Sequence, residues 1–215
     1  MKDTKKYFKI VFTGIMIALM FTLSFTVLGM IPLVFASATT VFIPVAIGII
    51  CLDDFRYTAV LGLGFGLSSF FRALLAPNGV LDPFFVNPLV SILPRIAASL
   101  LAHLIFRLSS KVIKNRYVNA SIGGAMMAFC NTLFVIPMLI LCYYKSIGEI
   151  LVSNSLTYGA FLGSIALTSM IPEIVVGAII TLAIYSALYP AFLKKAEEVD
   201  AYQKEEAENN NENEA

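Results

Sequence analysis

Apolar residues in this chain come mostly in long runs, separated by short polar or proline-rich breaks. A helix needs roughly 20 such residues, at 1.5 Å each, to cross the hydrocarbon of a bilayer. On that criterion the pattern predicts spans near 10–31, 39–52, 56–75, 89–108, 118–142 and 164–189. The second run is short, so its helix is either tilted, partly interfacial, or extended by the residues ATT before Val41. The stretch LDDFR (52–56) reads as a tight turn. Residues 76–88 carry Pro77, Asn78, Gly79, Asp82, Pro83 and Pro88, a breaker cluster that predicts a long loop. A second polar stretch, 145–163, contains Lys145, Glu149 and Asn154 and reads as another. The expected fold is an all-α membrane protein, a six-transmembrane-helix bundle. No internal repeat is visible, which argues against inverted-repeat architectures.

Composition strengthens that picture. Apolar residues make up 59% of the chain and charged residues 13%, against about 25% charged in a soluble domain. Mean hydropathy is +0.85. Such a chain has too little polar surface to face water, and the lipid bilayer is its expected surroundings. The net charge of +1 comes from segregated charges rather than a basic patch, so nucleic acid is not an expected partner. With no tryptophan, interfacial anchoring falls to the nine tyrosines and to lysine. Cys51, Cys130 and Cys142 are scattered in apolar context and read as small buried hydrophobes, with no disulfide or metal spacing.

Orientation follows from the basic residues. With six spans, all fifteen except Arg72, Arg95 and Lys145 fall on the side of the termini, which places both termini in the cytoplasm. The expected divisions are a cytoplasmic N-terminus (1–9), a membrane domain (10–193) and an acidic, disordered cytoplasmic tail (194–215). A basic start, an apolar run and A-S-A at 36–38 resemble a signal peptide. The run exceeds the usual ~7–15 residues, which favours a retained first span.

The polar residues inside the spans are where chemistry could sit. Burying a guanidinium in hydrocarbon costs at least ~2.5 kcal/mol, yet Arg72 and Arg95 flank the 76–88 loop. Arg72 lies ~24 Å above Arg56 at the helical rise, close enough to the outer surface to snorkel or to join a pocket. Arg95 sits roughly 9 Å below the outer edge and needs an internal partner: Glu173, backbone carbonyls or a ligand. Asn131 lies mid-span in the fifth helix, where it either meets ligand or bonds a neighbouring helix. Asp82 and Asn87 sit in the loop between spans three and four. Together these residues outline an outward-facing substrate pocket beneath loops, and a guanidinium fork would suit an acidic ligand.

Gly14, Ala18 and Thr22 form a small-residue stripe on the first span, suited to close approach by a partner helix or by this chain's own bundle. His103, the single histidine, reads as a contact between helices. No Walker P-loop and no H-E-x-x-H element occurs, so neither ATP hydrolysis by that route nor zinc hydrolysis is expected, and no cofactor or metal is implied.

Five pieces of the chain in order carry a likeness: IPLVFASATTVFIPVAIGIICL (31–52), GLGFGLSSFFRALLAPN (62–78), FFVNPLVSILPRI (84–96), Asn131-Thr132, and Pro172-Glu173. Over roughly residues 8–193 the sequence resembles the substrate-binding S components of energy-coupling factor (ECF) transporters, nearest the pantothenate-type and related members. The resemblance implies a non-enzymatic subunit of the bacterial cell membrane. It would capture a vitamin from outside and dock on a transmembrane coupling protein driven by two ATPase subunits. It also implies that Gly14 and Ala18 match the family's small-residue docking face, with glycine in place of the first alanine. The alternative is a stand-alone small secondary transporter or channel.

Overall fold

The first apolar run folds as helix α1 (Lys2–Ser24). It stops at Ser24 rather than near 31 because the chain turns there: the Leu23 carbonyl accepts hydrogen bonds from both the Thr26 N–H and its hydroxyl, each at 3.0 Å. Two short strands follow, β1 (Met30–Pro32) and β2 (Ser37–Thr39), antiparallel with Met30 opposite Thr39 and Pro32 opposite Ser37. The residues before Val41 thus build a hairpin and do not lengthen the second helix. The computed structural model describes residues 2–32, 37–77, 79 and 81–190. Ala36 of the A-S-A element and the expected tail 194–215 lie outside the described residues.

Helix α2 (Ile43–Leu52) starts with Pro44 in its first turn and has ten residues. At about 15 Å it is half the length a spanning helix needs. Eight of its ten residues are buried, so the helix is apolar all round because it is surrounded, not because it faces lipid. Helices α1, α3 (Phe55–Leu75), α5 (Leu93–Val112), α6 (Arg116–Ser153) and α8 (Ile171–Leu188) all pack against it. The main core lies here, with Val45, Ile49, Leu61, Phe65, Ala98 and Met127 fully or almost fully buried.

The remaining elements are a 3-10 turn (Asp82–Val86), the single turn α4 (Pro88–Ser91), α7 (Tyr158–Ile165) and a π turn (Ala166–Met170) that runs on into α8. Among the described residues, five helical stretches are long and apolar enough to cross a membrane: Lys6–Ser24, Phe55–Leu75, Pro88–Val112, Arg116–Ser153 and Tyr158–Leu188. With α2 they make the expected six-helix membrane bundle. Glycines set two of its closest contacts. A Cβ on Gly66 would lie 2.6 Å from the Ile92 backbone, and one on Gly177 would lie 2.8 Å from the Gly124 carbonyl oxygen, so α3 meets the α4–α5 junction and α8 meets α6 backbone to backbone.

The expected outer loop at 145–163 is helix for most of its length, with only 154–157 as connector. Its polarity belongs to an amphipathic helix. Lys145 and Glu149 are exposed on one face, while Ile147 and Leu151 on the other are buried in a second apolar cluster with Leu81, Val90, Leu139 and Phe161. The long α6 breaks direction at Tyr143, where φ is −130° and ψ is 32°. The part before Tyr143 already spans about 40 Å, more than the hydrocarbon thickness.

At the opposite end of the bundle, the α2–α3 turn is clamped to its neighbours. Asp53 adopts a left-handed conformation (φ 42°), and Asp54 caps α3 by accepting the Arg56 N–H at 3.1 Å. The Asp53 carboxylate accepts from His103 Nε2 at 2.9 Å and from Arg107 Nε at 2.8 Å, both on α5. His103 is fully buried, stacks on Phe55 and meets the Thr58 hydroxyl through Nδ1 at 2.8 Å. With Nε2 donating to Asp53, a neutral imidazole leaves Nδ1 to accept from Thr58, so the ring is satisfied as a helix contact. Lys9 of α1 pairs with Asp54 at 3.0 Å. Burial alone would raise the Asp53 pKa, but hydrogen bonds from Arg107 and His103 outweigh it and hold the carboxyl below its ordinary 3.8.

Because the folded value lies below the unfolded one, this contact stabilises the fold fully above 3.8 and is lost as pH falls through the lower folded value. Asp53→Asn is therefore expected to lower the melting temperature of the detergent-solubilised chain at pH 7. The gap from wild type should narrow as the melts are repeated at pH 4 and below; a gap that widens in acid would contradict it.

Candidate functional site

Near the end of the bundle that carries the hairpin and the 3-10 turn, residues of eight elements line a cavity of about 80 Å³. Its polar lining comes from Ser69 and Arg72 on α3, Arg95 on α5, Asn131 and Thr132 on α6, Ser169 in the π turn and Glu173 on α8. Thr39 at the end of β2 and Asp82 at the start of the 3-10 turn complete it. Leu81 and Phe85 also line it, and the apolar wall is formed by Val135, Ile136, Leu139 and Ile165.

Two prolines shape the cavity. Pro94 has no N–H, so the carbonyl four residues earlier, Val90, is left without its helical donor. That carbonyl accepts a hydrogen bond from Arg95 Nη1 at 2.5 Å. Arg95 Nη2 donates to the Ser69 hydroxyl at 3.3 Å, and the guanidinium lies 4.7 Å from the centre of the Phe85 ring. These contacts hold a side chain that is 6% exposed. Pro172 acts in the same way on α8: the ladder ahead of it widens into the π turn, where the Ile171 N–H bonds the Ala166 carbonyl.

The structure separates the two arginines differently from the snorkelling option. Arg72 is 3% exposed and turns inward, where it forms an ion pair with Asp82 at 3.3 Å. Asp82 also accepts the Gly79 N–H at 2.9 Å, so the pair ties the loop down onto α3. Arg95 makes no ion pair among the described residues. Glu173, expected to meet an arginine, instead accepts the Thr39 backbone N–H at 2.6 Å, because the hairpin brings a strand end over α8. That contact was invisible while residues 39–40 were read as helix.

Five of the six expected pocket residues, Arg72, Asp82, Arg95, Asn131 and Glu173, line this one cavity. Asn87 does not; its side chain caps α4 by accepting the Leu89 N–H at 3.0 Å and so helps place the turn that carries Val90. Ser169 was missed, although a Thr168-Ser169 doublet inside an apolar run was a signal. Three buried side-chain atoms of lining residues have no hydrogen-bond partner among the described residues: Arg95 Nε, Asn131 Oδ1 and Ser169 Oγ. Native interiors rarely leave such atoms unmatched, and here three of them, from three helices, border one space.

The expected docking stripe lies elsewhere. Gly14, Ala18 and Thr22 are exposed on α1, opposite the buried stripe of Thr13, Met16, Met20 and Ser24. A Cβ on Gly14 would meet nothing within 4 Å, and Thr22 spends its hydroxyl on the Ala18 carbonyl at 3.0 Å. Among the described residues, no cluster of three or more histidine, cysteine or acidic side chains could hold a metal ion.

Residues 8–185 match the family described as ECF transporter, substrate-specific component. No curated protein matches the chain.

Proposed function

The chain belongs to the family of ECF transporter substrate-specific components, a group of non-enzymatic, multi-pass subunits of the plasma membrane that bind substrate and associate with an energising module, and we propose that it captures a small acidic vitamin, pantothenate being the first candidate. The observation that carries this reading is the set of unpartnered buried atoms, Arg95 Nε, Asn131 Oδ1 and Ser169 Oγ, around one cavity. Polar groups buried without partners cost free energy, about 1–3 kcal/mol each, and a ligand that satisfies them recovers it. The proposed binding set is Arg95 with Arg72, Asp82, Asn131 and Glu173, and Asn87 holds the adjoining turn.

In this reading both termini face the cytoplasm and the cavity opens to the outside. At about 80 Å³ the cavity is smaller than the ~300–1,000 Å³ of ordinary ligand sites. Admission therefore needs the roof around Leu81 and Phe85 to shift. The Arg72–Asp82 pair and the Glu173–Thr39 contact are the two ties that close the roof loop and the hairpin over the site. The exposed face of α1 at Gly14, Ala18 and Thr22 is the proposed docking surface for a transmembrane coupling protein, itself driven by two ATPase subunits.

Arg95→Ala is expected to weaken pantothenate binding by about 10- to 100-fold, the range for a lost hydrogen bond to a charged group, in titrations of the purified chain without ATP. Unchanged affinity would remove Arg95 from the site. Ala18→Phe should abolish uptake by cells that carry the whole transporter while leaving binding intact. Full uptake by that variant, or uptake by proteoliposomes holding this chain alone, would sink the docking role.

A further inference from the structure

The π turn gives Ser169 a property its neighbours lack. Ser164 donates its hydroxyl to the Phe161 carbonyl at 2.7 Å, and Thr168 donates to the Ser164 carbonyl at 2.7 Å. Serine and threonine inside a helix commonly settle their hydroxyls in this way. Ser169, only 5% exposed, does not: it lines the cavity, and its Oγ has no partner among the described residues. A π turn inserts an extra residue's worth of rotation, and such turns concentrate at functional sites.

Charge points the same way. Arg72 and Asp82 answer each other across 3.3 Å. Arg95 has no carboxylate within ion-pair distance among the described residues, while Glu173 uses one oxygen, Oε1, on the Thr39 N–H. The cavity therefore presents a cation with a free donor at one side. Asn131 Oδ1, the Ser169 hydroxyl and a carboxylate oxygen lie around the remainder. A simple anion would answer Arg95 and the Ser169 O–H, and would leave the Asn131 and Glu173 acceptors unmatched.

We propose that the ligand is bipolar: an acidic end meets Arg95, and an N–H or O–H donor meets a polar wall made by Asn131, Ser169 and Glu173, with Ser169 turned into that wall by the π turn. This rests on the capture reading above and narrows it to acids that also carry hydrogen-bond donors. Acids with only hydrocarbon behind the carboxylate fall outside it. Ser169 is then a specificity-determining residue rather than part of the helix packing.

The test titrates the full-length purified chain, with Arg95→Ala and Ser169→Ala beside it, against pantothenate, folate, riboflavin and hexanoate. Hexanoate is an acid without donors, and riboflavin is uncharged at neutral pH. Wild type is expected to bind pantothenate or folate and to ignore hexanoate. Ser169→Ala should weaken that binding about two- to twelvefold, the value of one hydrogen bond. The same variant should melt at or above the wild-type temperature without ligand, because an unpartnered hydroxyl contributes nothing to the empty fold; a residue with a structural role would lower it. Hexanoate binding as tight as that of the donor-bearing acids, a preference for riboflavin, or unchanged affinity in Ser169→Ala would overturn the polar wall. If Arg95→Ala still loses affinity in that case, the capture reading survives by itself. Unchanged binding in Arg95→Ala, or no binding of any of the four compounds by wild type, would remove both.

Discussion

A guanidinium withdrawn from water has to be met by acceptors, ring faces or an opposite charge, and Arg95 imposes that demand inside the bundle. Much of the surrounding structure answers it. Pro94 frees the Val90 carbonyl for Arg95, Ser69 reaches across from α3, and Phe85 lays its ring against the guanidinium plane. The break between α4 and α5 lies at the same place, where Pro94 supplies no N–H and the ladder has a gap at the Val90 carbonyl. What these contacts leave over is the Nε, a buried donor on a residue that lines the cavity.

Assembling that cavity depends on how closely the helices approach. Thr39, Ser69, Arg95, Asn131 and Glu173 are far apart in sequence, and they meet because α3, α5, α6 and α8 pack at short range around the buried α2. Glycine makes two of those approaches possible, at Gly66 against Ile92 and at Gly124 against Gly177. A helix of ten residues in the middle leaves room above it, and the hairpin fills that room with a strand end whose N–H reaches Glu173. The shortness of α2 and the presence of the site are thus connected.

The two ends of the bundle are built to different standards. At the Asp53 end, carboxylates, His103, Arg107 and Lys9 satisfy one another, and the lone histidine is fully engaged. At the cavity end, three buried atoms have no hydrogen-bond partner among the described residues. The exposed stripe of small residues on α1 is a separate surface, pointing away from the core rather than toward the cavity.

Much of the fold was legible in the chain because hydrophobic run length is a direct consequence of bilayer thickness. The number of helical segments, the breaker loop at 76–88 and the burial of Arg72, Arg95, Asn131 and Glu173 near one another all follow from runs, prolines and the cost of charge in hydrocarbon. The hairpin at 30–39 and the helix at 145–153 were not legible, since strand pairing and burial of Ile147 and Leu151 depend on neighbours that no local pattern names. Nor could the sequence say which acid each arginine meets. Arg72 found Asp82, Glu173 found a backbone N–H, and Arg95 found no acid at ion-pair distance among the described residues, because those outcomes turn on distances of a few ångströms between different elements. The sequence by itself determined that charges would be buried and that they would need partners; only the tertiary structure decided which partner each one met.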